Sequence, residues 1–286
     1  MTQKQGDLSV TALYTSATWT WGGLPNADLL DHAHARRVFR VVNAVLGVTR
    51  PFIGLRAPLR LALIHRHTLI DSLLRESGCL RVLELAAGLS RRGVTFTADP
   101  RIDYVEVDRP DVVTKKSHLL QRSAEGKAAL ARSNFHLIAA DVMTHPLEEL
   151  CPTHGDPVFV IAEGLLMYLE PDAQRALAHK IARRLADAGG TFVFDFVPPR
   201  ELPRPGRVAR ALGWIMKRFT RGQGFAADER TRDQVIADLG ACGFYEVEAI
   251  EPSLVAHAWN LPHPDARTNQ LVFVTHVHPK PSRDRS

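Results

Sequence analysis

The sequence predicts an α/β fold. Its core is a doubly wound, mostly parallel seven-stranded sheet with helices on both faces. An N-terminal helical segment precedes it, and a helical cap is inserted late in the chain. Two observations predict this. Seven short runs rich in Val, Ile, Leu and Phe recur between residues 80 and 277. Helical patterns separate most of them, and strands alternating with helices argue for a parallel sheet covered on both sides. The length of 286 residues suits one such domain with an appendage. A hydrophobic share of 45% and a charged share of 23% exclude wholesale disorder and collagen-like or coiled-coil architecture.

Residues 1–26 are rich in Thr, Ser and aromatics and end in Gly22-Gly23-Leu24-Pro25. From Asn26, a possible cap, Leu29, Leu30, Ala33, Val38, Val41 and Val42 recur at helical spacing. A second helix is expected over 59–75, before Gly78. Strands are expected at 80–85, 104–107, 135–139, 158–161, 191–196, 244–250 and 271–277. A helix over 171–188 places Ala173, Leu177, Ile181 and Leu185 on one face and stops at Gly189-Gly190. Another over 230–242 ends at Gly243. No helix pattern separates the last two strands, which predicts a hairpin-like pair with one strand antiparallel. Residues 204–219 read as a basic amphipathic helix that could cap a ligand crevice. The division is therefore 1–78, a lid and helices packed on the core, and 79–286, the core with cap helices around 204–242.

The formal net charge is +5, with 29 Arg among 36 basic residues. These are spread along the chain and not interleaved with aromatics, so no nucleic-acid partner is expected. No stretch of about 18 apolar residues lacks a charge or a proline, so no membrane span is expected either. The N-terminus starts polar, without a signal pattern. Cys79, Cys151 and Cys242 are isolated, form no metal-binding spacing, and fit a reducing, cytoplasmic setting.

In a doubly wound sheet, ligands bind outside the carboxyl ends of the strands. The first strand runs into Glu84-Leu85-Ala86-Ala87-Gly88-Leu89-Ser90-Arg91-Arg92-Gly93. Its small residues let the backbone turn sharply and approach a ligand, and the next helix N-terminus offers N–H groups to an anion. A plain strand-to-helix turn is the alternative, and the loop has too little glycine for a dinucleotide. The second strand ends Glu106-Val107-Asp108. Asp108, 24 residues after Glu84, is placed to accept the hydroxyls of a ribose or to cap the helix that Pro110 opens. Asp141, after the third strand, can accept an exocyclic amine while the N–H of Val142 donates to a ring nitrogen, a pair of contacts that suits adenine. Read alone, Asp141 is better taken as an exposed loop residue. Glu163 interrupts an apolar run at the fourth strand end. It needs a cation, either a ligand ammonium or sulfonium or a structural ion pair.

Together these residues resemble the leucine carboxyl methyltransferase family of class I, Rossmann-like S-adenosylmethionine-dependent methyltransferases. The likeness is greater to its bacterial O-methyltransferases, often linked to polyketide-type substrates. It rests on ELAAGLSRRG at 84–93, YVEVDRP at 104–110, AADV at 139–142 and AEGLLMYL at 162–169, with TALYTSATWTW at 11–21 similar to one bacterial subgroup. The resemblance implies S-adenosyl-L-methionine as cofactor. It implies Glu84 and Gly88 at its methionine part, Asp108 at the ribose, Asp141 and Val142 at the adenine, and Glu163 at the amino-acid end. Arg66 matches an Arg that grips the cofactor carboxylate, a surface Arg being the alternative. Ser90 departs from the Asp common in the family, while Arg92 is retained.

In-line transfer of a methyl group requires alignment and exclusion of water. A carboxylate acceptor needs no base, whereas a hydroxyl benefits from one. Tyr14, His154, Asp195 and His257 are weak candidates for that base, Asp195 first because it sits near the end of the fifth strand. Trp19, Trp21, Trp214 and Trp259 could line an acceptor pocket, and Tyr168 reads as wall. The expected function is therefore S-adenosylmethionine-dependent O-methyl transfer to a small-molecule carboxylate or hydroxyl, without a metal. The competing readings are a protein carboxyl methyltransferase, a nicotinamide-dependent oxidoreductase and a non-catalytic cofactor-binding protein.

Overall fold

The computed structural model describes residues 10–53, 57–151, 155–197, 228–268 and 270–278, with 49–53 described by backbone alone. The expected cap helix at 204–219, with Trp214, and His154 lie outside these residues. One seven-stranded sheet has the order β3-β2-β1-β4-β5-β7-β6. Its strands are β1 Arg81–Leu85, β2 Asp103–Asp108, β3 Phe135–Ala139, β4 Val158–Ala162, β5 Gly190–Asp195, β6 Tyr245–Ile250 and β7 Val272–Val277. Each lies within one residue of the expected run at either end. Strands β1 to β5 pair in parallel. Strand β7 is antiparallel to both neighbours, β5 and β6. The C-terminal pair is thus hairpin-like, as expected, but β7 inserts between β5 and β6. A helix, Pro252–Val255, also lies in the connection. Four residues are too few to show a helical period in sequence.

Ten α-helices are described: α1 Val10–Trp21, α2 Ala33–Ile53, α3 Leu59–Ser77, α4 Arg92–Phe96, α5 Pro110–Leu120, α6 Ala124–Leu130, α7 Leu147–Leu150, α8 Pro171–Leu185, α9 Arg232–Ala241 and α10 Pro252–Val255. Local chemistry sets their ends. Gly78 closes α3 in the left-handed conformation at φ 64°, where a side chain would be strained. Pro110 and Pro171 open α5 and α8, where a missing N–H costs nothing. Thr231 and Gln234 form a reciprocal capping box at the start of α9.

The apolar residues alternate between two cores. Leu83, Val160 and Phe192 face one layer with Leu177, Ile181 and Leu185 of α8 and Leu239 of α9. Val82, Phe159 and Val193 face the other, with Leu69, Ile70 and Leu74 of α3. Both faces of the central sheet are therefore covered, which is why β4 and β5 read as nearly continuous apolar runs, whereas the edge strand β6 alternates in burial.

Two N-terminal expectations need correction. Asn26 is not a cap: it sits at φ 62°, whereas an N-cap is extended. A single 3-10 turn, Asp28–Leu30, follows, and α2 begins only at Ala33. The Thr- and Trp-rich segment before it is the helix α1. Its Leu13, Tyr14, Ala17 and Trp19 are buried against α2 and α3. Tertiary packing overrides the weak helix propensity of its Thr and Trp residues. Among the described residues, no helix is long and apolar enough to cross a membrane.

The chain runs outward from β1 through β2 to β3, then returns to β4 on the other side of β1. The strand order reverses there, so a crevice opens beyond the carboxyl ends of β1 and β4.

Candidate active site

The first loop makes its turn through two left-handed residues, Ala86 at φ 52° and Gly88 at φ 56°. Such a conformation costs a non-glycine residue on the order of 1 kcal/mol. Hydrogen bonds hold it: Gly88 N donates to Asp108 Oδ2 at 2.7 Å, and Ser90 N to the carbonyl of Ala87 at 2.9 Å. A Cβ on Gly88 would meet only the Ala86 carbonyl, 4.0 Å away, so the loop faces open space there. The other oxygen of Asp108 accepts Arg109 N at 2.7 Å. Asp108 thus serves both turn and helix entry, and each oxygen retains a lone pair for a hydroxyl. Burial raises its carboxyl, while these two N–H groups pull it down. At the end of β3, Asp141 is exposed and accepts Met143 N at 2.8 Å. Val142 is buried, and its carbonyl accepts Lys180 Nζ at 2.9 Å.

Between β1, β4, β5 and α3 lies a buried network of charges. Glu163, just beyond β4, accepts Arg66 Nε at 2.7 Å and is paired with His67 Nδ1 at 2.8 Å and an Arg92 guanidinium nitrogen at 2.6 Å. Burial alone would raise its carboxyl, but Arg92, Arg66 and His67 hold it well below the usual range. Asp195 accepts Arg66 at 2.6 Å and Gly164 N at 2.5 Å. Glu84, inside β1, accepts Arg92 at 2.8 Å and the Tyr104 hydroxyl at 2.8 Å. Arg92 also donates to Asp71 Oδ1 at 2.7 Å, and Arg91 pairs with the other Asp71 oxygen.

Four carboxylates, Asp71, Glu84, Glu163 and Asp195, therefore meet three guanidinium groups, Arg66, Arg91 and Arg92. His67 adds no charge at neutral pH, because burial and then Arg92 push it down to about 4. With all four acids ionised these residues are one cation short, and burial raises the Asp195 carboxyl against the pull of Arg66 and Gly164 N. Gly164 lies at the edge of the network at φ 69°, and a Cβ there would stand 3.7 Å from the Arg66 guanidinium.

The structure brings Arg66, Glu84, Glu163 and Asp195 together, and joins Gly88 to Asp108. It overturns the surface alternative for Arg66, whose side chain is 4% exposed. The three base candidates among the described residues each have a partner. Asp195 is 0% exposed and is held by Arg66 and by Gly164 N, and burial pushes Tyr14 up to about 12 beside its hydrogen bond to Asn43. His257 is an exposed partner of Asp265. Trp19 stacks on His67 at 3.9 Å, whereas Trp21 is 40% exposed beside Arg60. The Tyr168 hydroxyl donates to Thr11 at 3.0 Å.

Sequence reasoning missed His67, Asp71, Arg91 and Tyr104. The signal for Asp71 was available, as an acid in the apolar run Leu69–Leu74 of a helix. His67 leads to a test. Its folded value lies below the 6.5 of the exposed group, so between the two the unfolded chain binds the extra proton. Stability should therefore be complete above 6.5 and fall by about 3 kcal/mol as pH drops toward 4. Urea unfolding across this range checks it, and His67→Asn should remove that part of the fall.

Residues 54–182 match the family model described as leucine carboxyl methyltransferase. Over 134 residues the chain is 30% identical to the tetracenomycin polyketide synthesis O-methyltransferase TcmP of Streptomyces glaucescens, covering 46% of this chain and 45% of that protein. It is 26% identical over 216 residues to a candidate S-adenosyl-L-methionine-dependent methyltransferase of Mycobacterium marinum, covering 73% and 63%. The chain thus spans about half to two thirds of the length of these curated relatives. Among solved structures, a candidate O-methyltransferase from Nostoc punctiforme superposes with a TM-score of 0.52 at 18% identity, over 77% of this chain and 58% of that one. A candidate exported protein from Bordetella parapertussis gives 0.54 at 18%, over 96% and 81%. At such identity these structures bear on the fold alone, which is the α/β methyltransferase fold.

Proposed function

We propose, from a core that matches the leucine carboxyl methyltransferase model over residues 54–182, that the protein is an S-adenosylmethionine-dependent O-methyltransferase of a small-molecule carboxylate or hydroxyl. The observation that carries this reading is the guanidinium of Arg66 set against the carboxylate of Glu163, complementary to a zwitterion, beside a loop and an acid placed for a nucleoside. S-adenosylmethionine, when bound, supplies an electrophilic methyl group on a sulfonium. Asp108 accepts the ribose hydroxyls, and Asp141 and the backbone of Val142 take the adenine edge. Arg66 grips the carboxylate with its planar fork. Glu163 takes the ammonium, and Glu84 acts behind it by holding Arg92. Gly88 and Gly164 keep the approach open.

Among the described residues this site shows no free base, which favours alignment and the exclusion of water as the main devices of catalysis. That favours an acceptor already ionised near neutral pH, a carboxylate before a hydroxyl. A protein carboxyl terminus is the second reading, favoured by the description of the matched family. The three unpaired cysteines support a cytoplasmic setting.

Calorimetric titration with S-adenosylmethionine, S-adenosylhomocysteine and NADH tests the reading. Micromolar binding of the first two and none of the third is expected, and binding of NADH alone would overturn it. Asp108→Ala should weaken S-adenosylhomocysteine binding by about 1–3 kcal/mol, the worth of charged hydrogen bonds. Unchanged affinity in the same titration would remove the ribose assignment.

A further inference from the structure

A second buried ion pair lies apart from the network around Glu163. Glu106 of β2 and Lys116 of α5 are each 2% exposed and pair with one another. Burying two such ions costs several kcal/mol apiece, and apolar side chains often replace a buried pair without loss of stability. What apolar side chains could not supply is the contact to the backbone. Lys116 Nζ also donates to the carbonyl of Ser90, and the second oxygen of Glu106 accepts Gly93 N at 3.1 Å. The pair therefore holds the first loop at Ser90 and the first turn of α4 at Gly93, on either side of Arg91 and Arg92. Gly93 is required for this, since a Cβ there would collide with the Glu106 carboxylate and the Phe135 ring.

Lys116 also lines a small cavity together with Gly88 and Asp108. Glu106 lines the same cavity, and after the two backbone N–H donors, Arg109 and then Lys116 oppose the burial that raises the Asp108 carboxyl. Lys116 thus acts on both halves of the nucleoside end, the loop through Ser90 and the acid through its charge.

We propose that Lys116, fixed by Glu106, is a positioning residue that sets the first loop for cofactor binding. This rests on the reading of the site as one for S-adenosylmethionine. The test is titration of S-adenosylhomocysteine into wild type, Lys116→Met and the double variant Lys116→Met/Glu106→Gln, with thermal melts of each.

Lys116→Met should bind about tenfold more weakly or worse, the loss of a charge-assisted hydrogen bond. The double variant leaves no buried charge unpaired. It should regain melting temperature but not affinity, because the Ser90 carbonyl still lacks its donor. Affinity should also fall at a higher pH in Lys116→Met than in wild type, since Asp108 loses a cation that favours its charged form. Affinity within about twofold of wild type in Lys116→Met, or affinity recovering with stability in the double variant, would overturn the proposal. Absence of binding by the wild-type protein would instead overturn the cofactor reading, and the proposal with it.

Discussion

Replacing Arg92 with methionine should lower the unfolding free energy by about 3–5 kcal/mol, the cost of removing one partner from a buried ion network. The side chain is fully buried and donates to Asp71, Glu84 and Glu163, as well as to the carbonyl of His67 at 3.1 Å. Methionine fills much of the volume but leaves three carboxylates each short of a donor. Arg91 remains on Asp71, Tyr104 on Glu84 and Arg66 on Glu163, which keeps the loss within the range for a single missing partner. Urea denaturation with an unchanged slope would measure it. A loss below about 1 kcal/mol would mean that the surrounding carboxylates are neutral in the folded protein. Arg92→Lys restores charge but not the fork, so it should recover only part of the loss.

The second large effect is on the proposed cofactor. Arg66→Lys should weaken S-adenosylhomocysteine binding about a hundredfold, roughly 3 kcal/mol, with the fold retained by circular dichroism. Arg66 reaches Glu163 through Nε and Asp195 through a terminal nitrogen, which holds the guanidinium plane under Gly164. Lysine offers a point charge on a flexible stem and cannot hold both acids while presenting two parallel donors to a carboxylate. Unchanged affinity in calorimetry would assign Arg66 to the protein interior alone. Gly164→Ala probes the same place from the other side, since its Cβ would cover the guanidinium at a backbone φ that alanine tolerates poorly.

The strands were legible because a sheet buried on both faces must be written as short apolar runs, and all seven ran true to within a residue. The positions of Asp108 and Asp141 at strand ends were legible for a related reason. Each stands where an apolar run ends, and strand ends are where this class of sheet meets its ligands. In the N-terminal region α3 was legible, beginning at Leu59 as expected, but α1 was not. Its Thr and Trp residues have weak helix propensity, and α1 owes its form to burial against α2 and α3. The turn at Asn26 likewise depends on a left-handed backbone that a possible cap residue does not announce.

The charged residues divide in the same way. Local sequence determined that Glu163 must find a cation, because it interrupts an apolar strand end and an ionised carboxylate is costly there without a partner. It also determined that Asp108 ends its strand before a proline-led helix. Which cations answer Glu163 was decided only by the fold. Arg66 and His67 come from a helix almost a hundred residues earlier, and Arg92 comes from the first loop. Arg91 and Lys116 look in sequence like ordinary surface charges. Only when α3 and α5 pack on the sheet do they lose their water, and desolvation then forces each to take a partner. Pairing between distant charges depends on burial, and burial is a property of the packed structure.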